Sequence, residues 1–320
     1  MRMGSPRATA ARTNDQPAAG MVATSDGGAR LGMAFALLGA VGFSFKAVLV
    51  KLAYPYGVDP VGLLALRMAF ALPFFLLMGW KAERKASFRL DRRDLAALFG
   101  LGLFGYYLAS YLDFLGLQYI TAALERLILF IYPTLVILLS AAFLGKPVTG
   151  RAVAALCLCY SGIGLAMVHD LRVAGEAGEV LLGCALVFGS ALSYALYLMG
   201  NGEVVGRLGS SRVTAWASTV ACLLCIGQFL LTRPLASLAL PWQVYGLSLA
   251  MAAFSTVLPV WLVSEAIRRI GAGPVALAGT SGPVVTMLLG WLLLGESIGP
   301  VQVLGATLVI AGVLVMSRRR

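Results

Sequence analysis

The chain has 320 residues, of which 60% are hydrophobic and only 12% charged, and its mean hydropathy is +0.88. A soluble domain carries about 25% charged residues, so most of this surface must face an apolar solvent. The net charge of +11 does not point to nucleic acid, because the basic residues sit in short loops between apolar runs.

In chain order, residues 1–30 are rich in Ala, Gly, Thr and Arg and read as a disordered tail. They lack the apolar core and small-residue cleavage site of a signal peptide. Apolar runs follow at Leu31–Leu52, Pro60–Trp80, Leu95–Leu117, Ala122–Leu144 and Ala152–Val168, then Val180–Gly200, Val213–Leu231, Val244–Ile267, Ala272–Leu294 and Val301–Met316. A spanning helix needs about 20 apolar residues, and the runs lack the alternation of a barrel wall. The expected fold is therefore an all-α polytopic membrane protein with ten transmembrane helices.

Lys and Arg set the orientation. With ten crossings, the tail, the stretch Lys81–Arg93, Lys146 and Arg151, Arg207 and Arg212, Arg268 and Arg269, and Arg318–Arg320 all fall on one side. Only Lys51, Arg172 and Arg233 fall on the other, which predicts cytoplasmic termini.

The sequence also repeats itself. An offset of 150 maps Tyr132-Pro133 onto Gly282-Pro283, Gly145 onto Gly295, and Ala122 onto Ala272; an offset of 151 maps Gly32 and Ala40 onto Gly183 and Ala191. Five crossings per repeat is odd, so residues 31–170 and 178–317 form two inverted five-helix repeats, an architecture suited to alternating access.

Several motifs carry no chemistry here. Gly100-Leu101-Gly102-Leu103-Phe104-Gly105 matches a dinucleotide fingerprint but lies inside an apolar helix rather than after a strand. Cys222 and Cys225 form a C-x-x-C with no polar surroundings, and His169 stands beside Asp170 in a loop without a metal-ligand set. The chain is read as no enzyme, with no metal or other cofactor.

The order of three features resembles the drug/metabolite transporter superfamily, and within it the ten-helix EamA-type exporters. They are Leu63-Leu64-Ala65-Leu66-Arg67 in the second span, Ala122-Ala123-Leu124-Glu125-Arg126-Leu127 through Tyr132-Pro133 in the fourth, and Gly282-Pro283 through Leu294-Gly295-Glu296 in the ninth. The resemblance covers Leu31 to Met316 and departs from the pattern at Lys146, where such repeats often carry Glu. It implies export of amino acids, aromatic ones among them, or of related small metabolites. Nucleotide-sugar and multidrug carriers share the superfamily, so another metabolite or a drug stays open as cargo. A fused repeat also removes the need for the antiparallel dimer of half-length relatives, so a monomer in lipid is expected to function.

Ionisable residues inside spans cost about 2.5–3.5 kcal/mol each and turn toward a cavity or a partner. Lys46, Arg67, Asp113, Glu125 and Arg126 fall at one depth, as a vestibule or gate for a charged substrate group. Lys46 and Arg67 are expected to attract a carboxylate, and Lys46→Ala to lower flux without unfolding the protein. Ser190, Tyr194, Tyr197 and Asn201 share one helical face, as do Tyr106, Ser110 and Asp113. With Phe43 and Trp261 these aromatic residues would cover an apolar substrate side chain. Pro133 and Pro283 interrupt repeat-related helices, and Thr280 and Ser281 beside the second break would offer hydroxyls to the substrate. Glu265 is a further coupling candidate, beside Arg268 and Arg269. A sensor or scaffold without transport is the reading from another class; it predicts no hydrated central cavity.

Overall fold

The computed structural model describes residues 26–317 apart from 87, 146 and 175. The tail before residue 26, Lys146 and Arg318–Arg320 lie outside the described residues. Among those described, every regular element is helical. In chain order the helices are α1 (Asp26–Ala53), α2 (Pro60–Arg84), α3 (Arg92–Gly116), α4 (Ala122–Leu144) and α5 (Gly150–Ala174), then α6 (Ala177–Leu208), α7 (Ser210–Thr232), α8 (Trp242–Ile270), α9 (Ala272–Gly279 with Gly282–Leu289 and a π-helical turn Gly290–Leu294) and α10 (Pro300–Ser317). Among the described residues, nine helices are long and apolar enough to cross a membrane, and α10 is apolar but shorter. Helix α1 already includes residues 26–30, which the composition alone assigned to the tail.

Local chemistry sets the boundaries. The Asp59 carboxylate accepts from Gly62 N at 3.2 Å, and Pro60 opens α2 where no backbone donor is needed. Asp91 and Asp94 form a reciprocal capping box at the start of α3. Helix α4 and the π-helical last turn of α9 end on Gly145 and Gly295, with φ of 62° and 67°, a conformation that glycine adopts without strain.

Packing is symmetric under exchange of residues 26–174 with 177–317. Helix α5 lies against α10 and α2 against α7; α1 packs on α8 and α9, and its counterpart α6 on α3 and α4. The α5–α10 seam depends on small residues: a Cβ on Gly305 would fall 2.5 Å from the carbonyl oxygen of Gly162. Bare backbones thus come close enough for dispersion to hold two helices together in lipid.

Two kinds of irregularity recur at the 150-residue offset. Helices α3 and α8 each widen into a π-helical turn, at Leu103–Leu108 and Ala253–Val257. Helices α4 and α9 break just before Pro133 and Pro283. In α3 the hydroxyls of Ser193 and Ser190 donate to the Phe104 and Ala109 carbonyls at 2.7 Å each. Acceptors in and beside the widened turn thus gain donors from α6 rather than facing lipid unpaired.

Candidate functional site

Between the two sets of helices lies a cavity of about 780 Å³. Phe43 and Lys46 of α1, Tyr106, Ser110 and Asp113 of α3, and Arg126, Phe130, Tyr132 and Pro133 of α4 line it. From the other set come Ser190 and Tyr194 of α6, Val260, Val263 and Ile267 of α8, and Val275, Gly279 and Thr280 of α9. Ile267, at one end, is 43% exposed; Asp113, at the other, is 1%.

The closed end is an ion cluster. Lys46 Nζ donates to Asp113 Oδ2 at 2.6 Å and lies 3.0 Å from Glu125 Oε1. Two carboxylates thus share one ammonium, deep in the protein, where a charge without a partner is costly. Asp113 Oδ1 and Glu125 Oε2 are buried without any hydrogen-bond donor among the described residues.

Arg126 differs from its neighbour Glu125. Adjacent residues on an α-helix point about 100° apart, so Glu125 turns toward Lys46 while Arg126 turns into the cavity. Its buried Nε has no hydrogen-bond partner, and it pairs with no acid among the described residues. The guanidinium rests at the break in α9: a Cβ on Gly282 would lie 2.8 Å from Arg126 Nη2.

Aromatic rings form one wall. The Tyr106 and Tyr197 hydroxyls are 3.2 Å apart, Tyr194 stacks on Tyr197 at 5.4 Å between ring centroids, and Tyr132 meets Tyr194 edge-on at 5.3 Å. Phe130 continues the row, 6.5 Å from Tyr132. Sequence reasoning did not place Phe130 or the Tyr132 ring in the site. The signal present was position, since both flank the break before Pro133.

Other expected residues lie elsewhere. Arg67 does not reach the cavity: its Nε donates to Thr256 in the π turn of α8 at 3.0 Å, and its guanidinium sits 5.4 Å from the Phe114 ring centre. Trp261 is 57% exposed on the outer surface of α8, 5.8 Å from the Phe35 ring. Tyr197 supports Tyr106 and Tyr194 from behind the cavity wall. Pro283 and Glu125 are buried off the wall. Thr280 lines the cavity, but its hydroxyl donates to Leu277 O at 2.7 Å, and Ser281 off the wall likewise donates to Ala278 O at 2.7 Å. These hydroxyls satisfy carbonyls at the break and are spent as donors. Glu265 is held by Arg268 at 2.5 Å and by Arg269 at 2.7 Å, away from the cavity.

Beyond the ion cluster, polar contacts tie the helix ends together. Lys51 donates to Ile120 O at 2.8 Å and lies 3.4 Å from Glu296, which accepts from Ala122 N at 2.9 Å. Asp170 accepts from both the backbone and the hydroxyl of Thr121.

A family model described as the EamA-like transporter family matches the chain twice, at residues 30–168 and 181–318. The chain belongs to the EamA-like transporter family. Each match spans one of the five-helix sets on either side of the cavity, and the family consists of membrane transporters rather than enzymes. Among similar EamA-like proteins, an uncharacterized transporter of Bacillus subtilis, YcbK, is 32% identical over 87% of this chain and 89% of its own. The threonine/homoserine exporter RhtA of Escherichia coli K12 is 26% identical over 83% of this chain and 84% of its own. A solved crystal structure covering 91% of this chain and 98% of its own superposes with a TM-score of 0.59 at 18% identity, which shows the shared fold. The protein is therefore a multi-pass membrane transporter of the EamA-like family.

Proposed function

We propose that this transporter exports amino acids or closely related small metabolites across the bacterial inner membrane by alternating access, with both termini cytoplasmic. The observation that carries the reading is the cavity itself. It is walled by helices from both sets, exposed at the Ile267 end and shut at the Lys46–Asp113–Glu125 end. With the basic loops assigned to the cytoplasm, the exposed end faces the cytoplasm, so this is the conformation that loads cargo for export. Rocking the two five-helix repeats, inverted relative to each other, would separate the cluster and seal the Ile267 end.

Two lines support an amino acid as cargo. One relative is named a threonine/homoserine exporter. The wall combines ionised groups at one end with aromatic and aliphatic side chains over the rest, which suits a polar head and a varied side chain. The volume exceeds that of one amino acid, leaving room for water around it. The fused halves supply both walls within one chain, so a monomer suffices.

The test is flux into liposomes containing the purified protein, across a panel of neutral, aromatic and charged amino acids, with and without a pH gradient. Saturable, protein-dependent flux of at least one neutral amino acid is the expected result. Absence of such flux over the whole panel overturns the assignment.

A further inference from the structure

We infer that Arg126 receives the carboxylate of the substrate and the Lys46 cluster attracts its ammonium, so that the cavity selects zwitterions over amines and acids. This rests on the amino-acid reading above and names the head group that the site requires.

Charge placement carries the argument. The wall and its immediate backing hold four charged groups of α1, α3 and α4: Lys46, Asp113, Glu125 and Arg126. Their formal charges cancel, yet they are not distributed evenly. Both carboxylates lie on Lys46, leaving one end with an excess of negative charge. Arg126 is left as a cation with a buried, unpartnered Nε and no ion pair to an acid among the described residues. A guanidinium offers a planar fork that matches a carboxylate in two hydrogen bonds.

The seat of Arg126 strengthens the reading. Its Nη2 occupies the space that a side chain at 282 would fill. The break between Gly279 and Gly282 places Arg126 against bare backbone rather than against an acid. In the adjoining cluster Asp113 Oδ1, on the wall, lacks a donor among the described residues. The ammonium and carboxylate of an α-amino acid sit on one carbon, so a zwitterion brings an anion to Arg126 and donors to the neighbouring cluster, and adds no net charge to the membrane interior.

Neither Lys46 nor Arg67 fills the role of Arg126. Lys46 is already shared between two acids, and Arg67, whose Nη1 is also buried without a partner, donates to Thr256 behind the wall and does not line the cavity.

The experiment uses the full-length protein with phenylalanine and threonine, each paired with its decarboxylated amine and its deaminated acid. Binding is read from ligand-dependent thermal stabilisation in detergent, and transport from competition with labelled amino acid in liposomes. Wild type is expected to prefer each amino acid over its amine by at least roughly 30-fold, the lower range for losing one partner of a buried charge pair. Arg126→Gln is expected to erase that preference, and Arg126→Lys to retain part of it, with unliganded melting curves confirming that both fold. Equal competition by amine and amino acid in wild type overturns the inference, as does an unchanged preference in Arg126→Gln. Should Arg126→Gln fail to fold, Arg126→Lys decides: a preference identical to wild type overturns the inference. If wild type binds with this selectivity but moves nothing, the inference stands and the transport reading falls. If it neither binds nor moves any amino acid, both fall.

Discussion

The two ends of the cavity are built on equivalent positions from opposite chemistry. At the offset of 150, Ser110 corresponds to Val260, Asp113 to Val263 and Glu125 to Val275; at 151, Lys46 corresponds to Tyr197. All three valines line the cavity, as do Ser110, Asp113 and Lys46. One end is thus held by ion pairs and the other by valine and isoleucine side chains. Ion pairs at short range are strong and directional once buried, whereas apolar contacts in a hydrated opening part at little cost. A duplicated frame has become a polar device because only one copy carries the charges.

The largest expected effect comes from breaking the charged end. Lys46→Ala leaves Asp113 and Glu125 buried together without a cation, a loss of about 3–5 kcal/mol. The expected result is a large fall in the thermal midpoint in detergent. Adding Glu125→Gln to that variant should recover part of it. This revises the expectation from sequence that Lys46→Ala would lower flux with the fold intact, because both acids bury against the same ammonium.

Charging the apolar end should cost somewhat less. Val263→Asp installs the counterpart of Asp113 opposite no lysine, at a cost of up to about 2.5–3.5 kcal/mol, reduced by any water in the opening. Thermal unfolding in detergent measures it. A variant as stable as wild type would mean that the apolar end does not depend on its chemistry.

A smaller effect tests how Arg126 is seated. Gly282→Ala places a methyl group against the far end of the long Arg126 side chain, which can shift, so the fold should give way cheaply, by less than about 1 kcal/mol. Discrimination between amino acid and amine should fall several-fold, read by the same competition assay. The smallest effect belongs to Glu265→Gln, since Glu265 pairs with Arg268 and Arg269 away from the cavity. Flux and thermal midpoint should match wild type within error.

The sequence made the spans legible because apolar length is counted along the chain and needs no third dimension. It also located the breaks in α4 and α9, since Pro133 and Pro283 cannot donate to the carbonyls behind them. Depth was readable too, as Lys46, Asp113 and Glu125 do meet. Azimuth was not. Arg67 lies on a face turned toward Thr256, and Trp261 on one turned outward. A position in a span fixes how deep a side chain sits, but the faces that pack depend on neighbouring helices. Nor do residue types mark a π turn. Leu103–Leu108 contains nothing that distinguishes it from an ordinary apolar helix, and the serines that donate to the Phe104 and Ala109 carbonyls lie 89 and 81 positions away on α6.

The π turn in α3 has a consequence best put in genetic terms. Asp113 lies beyond it, so its aim at Lys46 depends on the wide turn absorbing one residue. A π turn takes up one residue more than an α turn, so the helical phase on either side is preserved. Loss of a single codon within 103–108 would therefore let α3 close into a regular helix with Asp113 still facing its lysine. Gain of a further codon there would overfill the turn, and every residue from Ala109 onward would rotate by about 100° against the first half of the helix. No charged residue would have been altered, yet Asp113 would swing away from its lysine. The turn thus buffers one deletion but not one insertion, and the identity of the acid alone does not keep the charged end intact.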